Sequence, residues 1–214
     1  MKRYVLALAV LGLVAVVGCS GDDASPYFAD IQWQVSCHAA GGCSGLPARD
    51  INHLSGERGH RVSCTLGGTP AMRVLTFQAF QDDPSRDPDD MSDRPYGIEM
   101  RNAVFNSAGS LVAGTGCTVR VLEDNDYVGA CGSAPIADGC NDNPTLTSTP
   151  CDQPCMVTSI TLGSDTDGNP QIQGNILCHG LPNQSDLARE REVHFPGGDD
   201  TMPFTFRLVN CSGL

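Results

Sequence analysis

Apolar and polar residues alternate with a period of two in ten short stretches of the chain. In the first part these are IQWQVSC (31–37), HRVSCTL (60–66), RVLTFQAF (73–80), GIEMRNAVF (97–105), CTVRVLE (117–123) and YVGAC (127–131). Further on they are MVTSITL (156–162), QIQGNILC (171–178), REVHF (191–195) and FTFRLVNC (204–211). Such alternation puts every second side chain on one face and is the mark of a half-buried β-strand. Turn formers punctuate the stretches at Asp83-Pro84, Asn125-Asp126, Asp167-Gly168, Asn169-Pro170 and Gly197-Gly198. Only Ser185–Glu192 is compatible with a helical turn. The pattern predicts an all-β protein, an antiparallel β-sandwich built in modules.

The first residues follow a different rule. Lys2 and Arg3 are basic, Tyr4–Val17 is apolar or Gly throughout, and Gly18 precedes Cys19. A basic start, an apolar run of this length and a small residue at its end form a secretory signal. The run is short of the roughly 20 residues that a membrane-spanning helix requires. Val16-Val17-Gly18-Cys19 resembles the lipobox of bacterial lipoproteins. The resemblance covers residues 1–19 and no more of the chain. It implies cleavage after Gly18, a diacylglycerol thioether on Cys19 and acylation of the new amino group. Each buried methylene contributes about 0.8 kcal/mol, so two or three chains anchor where one does not. Ser20 in place of Asp favours the outer membrane. Residues 19–29 then read as the lipidated cysteine and a polar tether.

Lipidation changes the cysteine arithmetic. Of eleven cysteines, ten remain, an even number, and an exported chain is expected to pair them. The spacing resembles a repeat: Cys37, Cys43, Cys64 and Cys117 in one set, Cys151, Cys155, Cys178 and Cys211 in the other. Strand-like RVLTF and REVHF, then IEMR and FTFR, follow the third cysteine of each. The expectation is a tandem duplication, with module 1 at 30–140, a linker at 141–150 and module 2 at 151–214. Cys155 and Cys178 are nearly symmetric about Asp167-Gly168, a hairpin-favouring pair, so they are expected to bridge. The repeat extends this to Cys43–Cys64, with Cys37–Cys117 and Cys151–Cys211 closing each module and Cys131–Cys140 left over. Cys117–Cys131, symmetric about Asp124, competes with Cys37–Cys117 and Cys131–Cys140.

Composition narrows the partners. Lys2 is the only lysine, so the chain from Cys19 onward has eleven arginines against 25 acids, a formal charge of −14. Such a surface repels nucleic acid and anionic headgroups, and no nucleic-acid partner is expected. Six aspartates fall in QDDPSRDPDDMSDRP (81–95): Asp82, Asp83, Asp87, Asp89, Asp90 and Asp93. Oxygen ligands at that density fit calcium, but Arg86 and Arg94 intervene and EF-hand spacing is absent, so a solvated acidic loop is the reading. Asp165–Asn169 echoes half a calcium loop and is better read as a turn.

His38 and His179 each follow a cysteine, and His53 and His60 flank HLSGERGH, which lacks the HExxH pattern. No CxxC, no GxSxG elbow and no SxxK pair occurs, so no cofactor, metal or catalytic residue is assigned. Trp33 shares a face with Ile31 and Val35, which points to core packing over a sugar-stacking platform. The sequence is therefore read as a non-catalytic cell-envelope lipoprotein, held to the membrane by its lipid, with a structural or protein-interaction role. The alternative is an extracellular module binding calcium or glycan; a secreted hydrolase is the third reading.

Overall fold

The computed structural model describes residues 26–37, 49–90, 92–123, 126–135, 153–182, 190–194 and 204–214. The signal segment, Cys19 and the expected linker lie outside them. Eleven strands follow in order: β1 (Phe28–Cys37), β2 (Arg49–Leu54), β3 (His60–Thr69), β4 (Met72–Gln81), β5 (Tyr96–Asn106) and β6 (Thr118–Leu122). Then come β7 (Asp126–Gly132), β8 (Cys155–Ser164), β9 (Pro170–Pro182), β10 (Glu190–His194) and β11 (Phe204–Val209). Short 3-10 turns at Glu57–Gly59 and Pro84–Arg86 are the only helical segments among the described residues. Each of the ten alternating stretches overlaps a strand, so the chain is all-β. Phe28 and Ala29, read as tether, already belong to β1.

The strands form one sheet in the order β10–β1–β11–β9–β8–β7–β6–β5–β4–β3, with β2 on the other side of β1. β10 and β11 share a lane, since β11 pairs with the start of β1 and β10 with its end, and both pair with β9. The pairing is antiparallel except between β7 and β8, which run parallel over Cys131/Cys155 and Gly132/Met156. The sheet curls into a nearly closed, barrel-like body. At the seam the free side of β3 meets the C-terminal segment: Leu66 N–H donates to the Ser212 carbonyl at 2.7 Å, and Ser212 N–H to the Cys64 carbonyl at 3.1 Å. The Val62 N–H also donates to Ser55 Oγ at 3.1 Å, just beyond β2.

Two separate modules do not describe this arrangement. The apolar faces of strands from both predicted halves enter one core, in which Phe77 of β4 lies 5.1 Å from Phe206 of β11. β1, from the first half, is inserted against β10 and β11 from the second. The loop after β5 also docks on β8. A bulge near Ser159 interrupts the β8–β9 ladder, and the Ile160 N–H donates instead to the Gly109 carbonyl at 3.2 Å. Gly109 has φ +76°, and a Cβ there would stand 2.1 Å from the Ile160 carbonyl oxygen. Gly109→Ala is therefore expected to cost roughly 2–4 kcal/mol, from the left-handed backbone and the clash together. A fall in the denaturant midpoint at unchanged slope measures it; an unchanged midpoint would show that the loop does not dock.

Three disulfides join described cysteines. Cys155–Cys178 spans the β8–β9 hairpin, as its symmetry about Asp167-Gly168 predicts. Cys117–Cys131 joins the ends of β6 and β7, with Cα atoms 5.1 Å apart, so neither Cys37–Cys117 nor Cys131–Cys140 forms. Cys64–Cys211 crosses the seam, with Cα atoms 4.8 Å apart, which excludes Cys43–Cys64 and Cys151–Cys211. The supposed equivalents Cys64 and Cys178 thus take non-equivalent partners, and the spacing repeat is not carried into the bridges. Cys43, Cys140 and Cys151 lie outside the described residues, as does the side chain of Cys37.

Candidate functional site

A cluster of titratable side chains sits where β2 ends and β3 begins. Leu54 is followed by a tight connection in which Gly56, Arg58 and Gly59 all have positive φ. At Gly59 this is needed for space as well, because a Cβ would lie 2.5 Å from the Asp83 carbonyl oxygen. The connection returns the chain so that His53 and His60 stack, ring centroids 4.1 Å apart. Over them folds the aspartate-rich segment after β4, pinned by its own acids. Arg58 Nη1 donates to Asp87 Oδ1 at 3.0 Å and to Asp89 Oδ2 at 2.5 Å, and Arg61 Nε to Asp82 Oδ2 at 2.7 Å.

Asp87 is the exception in that segment. Asp82, Asp83, Asp89 and Asp93 are exposed, as a solvated loop requires, but Asp87 is buried against the histidines. Its Oδ2 lies 3.7 Å from His53 Nε2, and its Oδ1 also accepts the Asp89 N–H at 3.1 Å. Desolvation acts to raise the Asp87 carboxyl, yet the Asp89 amide, Arg58 and His53 outweigh it and hold the group below the usual carboxylate range.

Glu57 faces both rings. Its Oε2 is 3.4 Å from His53 Nδ1, and its main-chain carbonyl is 3.2 Å from His60 Nδ1. His60 is almost wholly buried. Desolvation first, and then the neighbouring His53, press it below the ordinary imidazole value, against the opposing pull of the Glu57 carbonyl. Gln81 braces the far side: its Nε2 donates to the Arg58 carbonyl at 3.0 Å and lies 3.5 Å from His60 Nε2. His53, His60 and Asp87 each offer a ligand atom, and the three atoms lie within 4.8 Å of one another.

Deeper in, Arg49 of β2 reaches Glu123 in a two-pronged ion pair of 2.7 and 2.9 Å and lies over the Tyr96 ring at 4.3 Å. Burial, then Asp90, push the Tyr96 hydroxyl well above its usual value, so it stays protonated. Trp33 packs edge-on to Tyr96 at 5.9 Å and is fully buried, as its place in an alternating strand predicts. It offers no stacking face to a sugar.

The other sequence candidates resolve differently. The Asp165 carboxylate is taken up by the turn itself, accepting from the Asp167 and Asn169 amides at 2.9 and 2.8 Å and from Asn169 Nδ2 at 2.9 Å. His38 lies outside the described residues, and so does the side chain of His179. All six cysteines whose side chains are described are in bridges. Sequence reasoning dismissed His53 and His60 for lacking a protease motif and did not connect them with Asp87. Reading HLSGERGH as a tight turn would have brought its two histidines together; the partner from residue 87 carries no local signal. No family model, curated protein or solved structure matches this chain.

Proposed function

We propose that the protein is a non-catalytic lipoprotein of the bacterial cell envelope, anchored through an acylated Cys19 and leaning to the outer membrane by its Ser20. Its stapled β body would then serve a structural or protein-interaction role. The observation that carries this reading is the Cys64–Cys211 bridge at the seam. A fold whose closure depends on a disulfide belongs in an oxidising compartment, where an exported chain resides. The arginines that brace the acidic segment favour this reading over a calcium module.

Intact mass of membrane-extracted protein tests the anchor and the bridges together. The expected species begins at Cys19, carries three acyl chains, and on reduction gains the hydrogens of five bridges. Because Lys2 leaves with the signal, the same species is expected to resist an amine-reactive dye. An unmodified Cys19, or strong labelling, would overturn the anchor.

A further inference from the structure

The junction of β2 and β3 carries a donor set that the anchored-body reading does not use. We propose that His53, His60 and Asp87 form a site for one divalent transition-metal ion of the zinc class, the histidines binding through Nε2 and Asp87 through Oδ2.

Orientation is the first argument. The two Nδ1 atoms face one residue, Glu57, His53 toward its carboxylate at 3.4 Å and His60 toward its main-chain carbonyl at 3.2 Å. An imidazole that donates through Nδ1 presents its Nε2 lone pair, and ligating histidines are held in this way by a carboxylate or a carbonyl behind them. Asp87 is oriented too. Arg58 and the Asp89 amide occupy Oδ1, which leaves Oδ2 beside His53 Nε2 at 3.7 Å. Gln81 Nε2 lies at the long limit of a hydrogen bond from His60 Nε2, and it retains the Arg58 carbonyl when an ion takes that place.

Spacing is the second argument. Donors around a tetrahedral zinc at 2.0–2.1 Å stand about 3.3 Å apart; His53 Nε2 and Asp87 Oδ2 are already 3.7 Å apart, and each of the three residues has a ligand atom within 4.8 Å of the others, so small movements close the set. His53, at the end of β2 and partly exposed, is the ligand free to move in this way. Two imidazoles and one carboxylate suit zinc and its neighbours, whereas calcium takes six to eight oxygens. Charge agrees, since Glu57, Asp87 and Asp89 surround the single Arg58. Three protein ligands leave a fourth position for water. The ion would tie the β2–β3 connection to the aspartate-rich segment, next to the seam.

The test uses untagged, membrane-extracted full-length protein with its bridges intact. Calorimetric titration with zinc chloride is expected to show one saturable site, and Tm is expected to rise by roughly 5–10 °C at zinc about a hundredfold above Kd. His53→Ala and Asp87→Asn each abolish that site, while Glu57→Ala keeps the stoichiometry and weakens binding about 10–100-fold. Cobalt titration of the unaltered protein supplies a readout that needs no variant: the intense d–d absorption of a four-coordinate ion. Absence of saturable zinc binding would overturn the site. So would binding that survives in His53→Ala and Asp87→Asn, which would place the zinc on His38, His179 or His194, or a cobalt spectrum of six oxygen-type ligands.

Discussion

Replacing Cys64 and Cys211 together by alanine is expected to lower the unfolding free energy by roughly 4–5 kcal/mol. The bridge joins residues 147 apart, and closing a loop of that length removes close to the largest chain entropy that a single cross-link can remove. The bridges inside the loop shorten its free length and trim the effect slightly. Against a total stability of about 5–15 kcal/mol, the loss is a large fraction. The closure is also held by the parallel contact between Thr65 and Ser212, by the bonds from Val62 to Ser55 and from Gly56 to the His60 carbonyl, and by the Arg49–Glu123 pair, none of which constrains the unfolded chain as the bridge does. Removing Cys117–Cys131, whose partners are 14 apart, is expected to cost about 3 kcal/mol. Denaturant midpoints compare the two variants, and hydrogen exchange locates the damage. The Leu66 and Ser212 amides are expected to lose protection first in the seam variant. A seam bridge that costs no more than the hairpin bridge would mean that the body does not depend on its closure.

The second large effect is at Phe206. Its side chain is fully buried, meets Phe77 across the core and covers Gly174, its partner on β9; a Cβ on that glycine would approach the ring to 2.6 Å. Phe206→Ala leaves a ring-sized void between the two predicted halves and is expected to cost about 3–5 kcal/mol. Trp33 is the only tryptophan and lies in β1, in the other half. In a single core its fluorescence transition moves with the whole protein when Phe206 is truncated. With independent modules, Trp33 would keep its original midpoint while a second probe shifted. That outcome would restore the two-module picture.

Strand content was legible because alternation is a local property. A strand with one face in the core must write apolar residues at every second position, and ten did. β2 was not legible for the same reason: burial alternates along RDINHL, but its inward positions are Arg49, Ile51 and His53, so the residue types do not alternate. That one omission hid the polar site, since β2 brings His53 to His60 and Arg49 to Glu123. The Asp87 partner was misread with its neighbours as solvated, because five aspartates that differ from it in burial surround it in sequence.

The sequence by itself determined the all-β class, the turn at Asp167-Gly168 with its Cys155–Cys178 bridge, and the burial of Trp33. All of these rest on residues a few positions apart, where backbone geometry leaves few choices. Only the tertiary structure decided that the strands share one core, that Cys64 meets Cys211, and that His53, His60 and Asp87 converge. Those contacts depend on how far the sheet curls and which edges meet, a sum over every strand pairing that no short stretch of residues encodes.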